Sequence, residues 1–236
     1  MRGELKMEYW KVLYKGHFSE FRSLFLEHGT IKRLQKGEPL PFDEFKNSLY
    51  YVLDGVIRSG YVYENGAEKI TGFFGEGQII PYISALPITS EYIIPKRSLQ
   101  SKCITDVSVV RLNKNTYYRL CDENRNLFVS TCNWIALRHN KYEYETMFLS
   151  NMSSFNKVCL FLYSNSNIFD AFSDEKLLLT QQEIGNIIGE TRIEISRAFK
   201  KLREYNALET KRGGYLFLDK KKLGEILEEN GVLSLL

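Results

Sequence analysis

The stretch LTQQEIGNIIGETRIEISRAFKKLRE, Leu179 to Glu204, constrains this chain more than any other, because it sets two helix-start signals eleven positions apart. Thr180-x-x-Glu183 has the form of a capping box, in which the hydroxyl accepts from the third helical amide while the glutamate reaches back to the cap. Thr191-x-x-Glu194 repeats that form. Between them Ile184, Ile187 and Ile188 give the first helix one apolar face, and Gly189 allows the left-handed residue on which it ends. Two short helices joined by such a turn read as a helix-turn-helix.

On the second helix, Arg192 to Arg203, a step of 100° per residue gathers Ile195, Ala198, Phe199 and Leu202 on the core side. Ile193, Ser196, Arg197, Lys200 and Lys201 point away, with Arg192 at the N-terminal edge. Such a face suits the major groove of DNA, and a merely solvated basic surface is the competing reading. Leu208 to Leu218 reads as a hairpin with Arg212-Gly213-Gly214 at its tip, a wing whose Lys211 and Arg212 can meet phosphates beside the groove.

Upstream the periodicity changes twice. Residues 1–120 are expected to form an antiparallel β-roll. Tyr50 to Tyr63 mixes β-branched and aromatic residues with glycines, and Glu64-Asn65-Gly66 is a hairpin-turn signal. Ser98 to Ile104 and Val107 to Leu112 form a second pair flanking a Thr105-Asp106 turn. Residues 121–152 are expected to hold a long helix and hinge. From Arg125 to Leu149 there is no Pro or Gly, and Phe128, Cys132, Ile135, His139, Tyr142, Thr146 and Leu149 recur at alternating spacings of four and three. That seam suits a dimerisation helix; a helix packed on its own roll is the alternative. Ser154 is expected to cap a helix starting at Asn156, which opens a third region, 153–236, with the winged helix-turn-helix. The fold class is therefore α+β.

Composition narrows the function classes. No apolar stretch is long enough to span a bilayer and the first residues lack a signal-peptide core, so a cytoplasmic protein without a membrane partner is expected. From Ser154 onward eight Lys and four Arg face three Asp and nine Glu, so a DNA-binding surface there has to be a local patch. Cys103, Cys121, Cys132 and Cys159 include no C-x-x-C pair and are read as idle thiols, with redox or metal sensing as the alternative. No Ser/His/Asp set, phosphate-cradling loop or metal-ligand spacing occurs, which argues against an enzyme and against any cofactor.

Leu179-Thr-Gln-Gln-Glu-Ile-Gly185, Gly189, Thr191-Arg192, Ser196-Arg197, Leu202 and Asn206, behind a roll and a long helix, make the chain resemble the CRP/FNR family of bacterial transcription regulators over nearly its whole length. Leu53-Asp54-Gly55 and Gly75-Glu76-Gly77-Gln78-Ile79-Ile80 extend the likeness into a cyclic-nucleotide-binding-like roll. The family reads bases through an arginine, a glutamate beside it and another arginine four residues later. The resemblance thus implies base reading by Arg192 and Arg197, together with Ser196, and phosphate contacts by Thr180, Gln181, Thr191, Lys200, Lys201, Lys211 and Arg212. Ile193 stands where the glutamate should be. It cannot accept from cytosine N4 but can pack on thymine methyls, so a different half-site is expected.

The sensor half also departs from the pattern. Nucleotide-binding members carry Gly-Glu after the roll's apolar pair and then an Arg-Ser-Ala cassette; here Pro81-Tyr82 and Ser90-Glu91-Tyr92-Ile93-Ile94-Pro95 stand at those places, which argues against cyclic AMP. The iron–sulfur and haem branches lack their cysteines and placed histidines, since His17, His28 and His139 show no such pattern. The chain is more similar to members that sense small organic molecules, such as regulators of halogenated-phenol respiration, or to virulence activators with an altered pocket. Tyr82, Trp134, Arg138 and Tyr142 are the candidate effector residues: an aromatic wall with one cation, suited to an anionic aromatic or a thiol-peptide acid, though ordinary packing residues would look the same. The expected protein is an effector-gated homodimer on a palindromic operator, with RNA polymerase as a further partner if it activates. A ligand- or partner-binding module whose helix-turn-helix contacts protein is the alternative.

Overall fold

Strand-forming residues of the first half pair into two four-stranded sheets in the computed structural model, which describes residues 10–41, 47–81, 98–169, 178–210 and 216–232. In chain order this half comprises β1 (Leu13–Tyr14), α1 (Arg22–His28), β2 (Thr30–Leu34), β3 (Ser48–Asp54), β4 (Ile57–Val62), β5 (Glu68–Phe74), β6 (Ile79–Ile80), β7 (Ser98–Cys103), β8 (Val107–Asn113), α2 (Lys114–Glu123) and α3 (Arg125–Phe148). One sheet runs β1-β5-β4-β7 and the other β2-β8-β3-β6. Every pairing among them is antiparallel except β1 with β5. β3 is buried along Ser48 to Leu53, as a central strand covered on both faces should be. Around it Ile57, Phe74, Ile79, Val109, Val110 and Leu112 form a core with Phe18, Phe25, Tyr117, Leu127 and Trp134.

The Glu64-Asn65-Gly66 turn forms as expected between β4 and β5, with Gly66 at φ +78° and Asn65 Oδ1 accepting from Ala67 N at 3.0 Å. The Thr105-Asp106 turn has a different role from a hairpin: β7 pairs with β4 while β8 pairs with β3 and β2, so the turn carries the chain from one sheet to the other. Gly55 makes the same crossing between β3 and β4. It sits at φ +85°, and a Cβ there would stand 2.2 Å from the Asp106 carbonyl oxygen. Val56 N donates to Thr105 Oγ1 at 2.9 Å, so each corner holds the other.

Along α3 the buried stripe is Leu127, Thr131, Trp134 and Arg138. Of the expected seam, Phe128, Cys132, His139 and Thr146 are exposed and Ile135 and Tyr142 half-buried, while the Leu149 side chain lies outside the described residues. Leu127 and Trp134 join the roll core, so the helix packs on its own roll with one stripe and leaves the heptad-like stripe beside it open.

The chain divides into two compact units, Leu13–His139 and the described residues among Met1–Val12 and Asn140–Leu236. The second holds α4 (Ser154–Ser164), α5 (Ser166–Phe169), α6 (Gln181–Ile188), α7 (Arg192–Glu204), β9 (Leu208–Thr210), β10 (Leu216–Leu218) and α8 (Lys220–Glu229). The α4 cap is Ser153, whose hydroxyl accepts from Asn156 N at 3.3 Å, rather than the expected Ser154. Ser154 is instead the first residue inside the helix, and its hydroxyl donates to Glu190 Oε2 at 2.8 Å. β9 and β10 pair antiparallel, Thr210 opposite Leu216, as the wing requires. The wing tip, with Lys211 and Arg212, lies outside the described residues. Trp10 is buried in this unit, edge-on to Phe161 at 5.9 Å.

Among the described residues no helix is long and apolar enough to cross a membrane, and no cluster of His, Cys, Asp or Glu could hold a metal. All four cysteines are free; Cys132 is exposed and the others buried. Burial, with Glu38 nearby, pushes the Cys103 thiol up to about 11, and burial against the opposing charge of Lys201 leaves Cys159 at about 12. Both stay protonated at neutral pH and are poor nucleophiles.

Candidate functional site

The first helix of the pair is closed at both ends by its own sequence. Thr180 Oγ1 accepts from Glu183 N at 3.1 Å while Thr180 N donates to Glu183 Oε2 at 2.9 Å, which completes the capping box. The helix stops at Gly189, φ +79°, and the amides of Gly189 and Glu190 both donate to the Gly185 carbonyl, at 2.8 and 3.0 Å. Gly185 is required by this tight return, since a Cβ on it would lie 2.5 Å from the Glu190 carbonyl oxygen. The sharp turn sets where α7 begins.

At α7 the second box forms only by half. Thr191 Oγ1 accepts from Glu194 N at 3.2 Å, but the Glu194 carboxylate does not return to the cap. It accepts instead from Arg197 Nη1 at 2.5 Å, because a guanidinium one turn along the helix competes for it. Ile195, Ala198, Phe199 and Leu202 are buried, as their spacing predicted, and α7 packs against α4 and α6. The opposite side carries Arg192, Ile193, Ser196, Arg197, Lys200 and Lys201, all exposed. Ile193 is 64% exposed, the highest value among the large hydrophobic side chains described. Folding gains nothing from an isoleucine so placed.

The remaining predicted contacts are distributed less evenly. Thr180 and Thr191 are exposed beside the helix N-termini and Gln181 is half-buried. The Lys201 ammonium lies 4.1 Å over the Phe155 ring and 5.9 Å from Tyr205, so part of its charge is engaged within the unit. Glu190 escaped the sequence reading. Its carboxylate accepts from Lys157 Nζ at 2.6 Å and from Ser154 Oγ at 2.8 Å, tying the helix-turn-helix turn to the start of α4. Burial alone would raise this carboxyl, yet the bonds from Lys157 and Ser154 and the Lys157 charge hold it below the ordinary range. Its partners are 33 and 36 positions away, beyond any local pattern.

Of the four candidate effector residues, Trp134 and Arg138 come together in the first unit. Arg138 is 1% exposed; its guanidinium stands 4.6 Å from the Tyr14 ring centroid, 5.5 Å from Phe74 and 5.9 Å from Trp134, and Nη2 donates to the Thr71 carbonyl at 3.1 Å. Trp134 meets Tyr14 edge-on at 5.2 Å and His17 at 5.1 Å, and its buried Nε1 has no hydrogen-bond partner among the described residues. Tyr142 is half-buried in the second unit, and Tyr82 lies outside the described residues. Tyr14 and His17, distant in sequence from α3, carried no periodic signal that would place them here.

A Crp-like helix-turn-helix domain model matches residues 156–226, and a cyclic nucleotide-binding domain model matches residues 31–124. The chain is 28% identical over 196 residues to the fumarate and nitrate reduction regulatory protein of Yersinia pestis, covering 80% of this chain and 74% of that one. Its fold is similar to FixK2 of Bradyrhizobium japonicum, with TM-score 0.65 and 19% identity over 84% of this chain and 96% of that one. It is similar as well to CLP of Xanthomonas campestris, a c-di-GMP-responsive global regulator, with TM-score 0.68 and 17% identity over 85% and 98%.

Proposed function

The chain belongs to the CRP/FNR family of transcription regulators, and from that premise we propose that it is an effector-gated homodimer reading a palindromic operator with α7. That it is a DNA-binding regulator with an effector-binding domain follows from the family; the residue roles are our reading. The observation that carries it is the division of α7, with one side wholly buried and the other a basic face around an exposed Ile193. Arg192 and Arg197 donate to guanine O6 and N7, Ile193 packs on a thymine methyl, and Ser196 contacts a base edge. Thr180, Gln181, Thr191, Lys200, Lys201, Lys211 and Arg212 hold phosphates and fix the register.

Dimerisation uses the open stripe of α3. Phe128 is exposed there at 48%, a cost in water that a second copy removes. The effector binds at Trp134 and Arg138. A buried guanidinium among rings supports an anionic organic ligand, and Pro81-Tyr82 disfavours cyclic AMP. The protein works in the cytoplasm and meets RNA polymerase where it activates.

Selection of bound sequences from random DNA, with and without cell extract, tests the reading. Two-fold sites with half-sites about one helical turn apart are expected, bound with steep salt dependence. Arg192→Ala and Arg197→Ala should each abolish a base preference. A monomer in solution whose DNA binding has no sequence preference would overturn the proposal.

A further inference from the structure

The two helix starts of the helix-turn-helix share one sequence form, yet their glutamates do different things. Glu183 returns to its cap; Glu194 turns along the helix and takes Arg197 Nη1 at 2.5 Å. The α7 cap does not need the Glu194 side chain, because Thr191 binds the Glu194 backbone amide. Nor does stability explain the pair. Arg197 is 71% exposed in its side chain, and an exposed ion pair three residues apart contributes little. What it does is bias one of the longest and most variable side chains of the outward face towards one orientation.

We infer that Glu194 is a positioning residue for DNA recognition: by holding one edge of the Arg197 guanidinium it presents the remaining N–H groups to a guanine in a fixed pose, and its charge weakens contact with DNA that lacks that guanine. This rests on the base-reading role proposed for Arg197. A guanidinium has five N–H donors, so one bond to Glu194 leaves enough for a two-point contact with O6 and N7. An arginine already held in place loses less conformational freedom on binding. Where the guanine is absent, the carboxylate keeps the Arg197 charge paired and so withholds it from the phosphates that a free arginine would reach. Glu194 thus trades general affinity for discrimination.

The test uses the full chain and the duplex selected from random DNA. Wild type, Glu194→Gln, Glu194→Ala and Arg197→Ala are titrated with that duplex, with versions carrying each other base at the guanine lost in Arg197→Ala, and with an unrelated duplex. Thermal midpoints are recorded alongside. Glu194→Gln should bind unrelated DNA several-fold more tightly while its preference for the guanine falls about two- to fivefold, less than the roughly tenfold or greater loss expected of Arg197→Ala. Its thermal midpoint should stay unchanged, a combination that a purely structural residue cannot produce. Retention of the guanine preference in both Glu194 variants, with its loss in Arg197→Ala, overturns the positioning role. Loss of preference at a neighbouring base pair instead makes Glu194 itself a reader and also overturns it. If Arg197→Ala keeps every preference, the base-reading role of Arg197 falls first, a result distinct from the other two.

Discussion

Ile193 and Glu190 show how single residues divide between function and fold. Ile193 touches little of the folded unit, so Ile193→Glu should leave stability within about 0.5 kcal/mol of wild type in a thermal melt. The same change should move the preferred base at its position from thymine towards cytosine, whose N4 donates to a carboxylate, as read by repeating the selection. Glu190 behaves in the opposite way. Its carboxyl is held below its ordinary value near 4.5, so its stabilising contribution is fully present above that pH and is lost as pH falls through the lower folded value. Glu190→Gln should therefore be less stable than wild type at neutral pH, with the difference shrinking in denaturation series taken progressively below pH 4.5. A constant difference across that range would mean that the charge of Glu190 is not what ties the turn to α4.

At the scale of elements, the two cap threonines allow a direct comparison. Thr180→Ala removes the acceptor from a complete box and should cost about 1–2 kcal/mol, whereas Thr191→Ala breaks a half box and should cost about 0.5–1 kcal/mol, both measured by chemical denaturation. Equal costs would mean that the returning glutamate adds nothing. The helix-turn-helix was legible in sequence because its determinants are local: caps, an isoleucine face and a left-handed glycine all fall within Leu179 to Glu204. The roll was legible only as strand content. Whether two strands joined by a short turn form a hairpin or cross between sheets is decided by partners far along the chain. Thr105-Asp106 looks like a hairpin turn in isolation, and only the approach of Gly55 and Val56 makes it a corner. The α3 stripe shows the same limit. Two parallel stripes on one helix satisfy similar spacings, and the buried one carries Thr131 and Arg138, which a pattern of apolar spacing passes over. Tyr117, whose hydroxyl meets Thr131 Oγ1 at 2.6 Å, and Tyr14 and Phe74, against which Arg138 lies, supply the polar bond and ring faces that let those side chains go inside.

For the whole molecule the chain passes between its two compact units twice, once within α3 after His139 and once after Val12. The second passage is pinned on its C-terminal-unit side by Asn165, which is 1% exposed. Its Oδ1 accepts from Val12 N at 3.0 Å and its Nδ2 donates to the Trp10 carbonyl at 2.9 Å, so the amide pairs with the backbone as a neighbouring strand would. On the other side Leu13 and Tyr14 pair with Phe73 and Phe74 in β5. Trp10 should then stabilise the DNA-binding unit rather than the roll that follows it in sequence. Trp10→Ala removes a ring seated on Phe161 and should cost about 3–5 kcal/mol, with Asn165→Ala costing about 1–3 kcal/mol through the unpaired Val12 amide. Hydrogen exchange locates the loss: amides of α4 should exchange faster in both variants while those of β3 and β8 keep their protection. Equal loss in both units would show that they unfold as one, and loss confined to β3 and β8 would assign Trp10 to the roll after all.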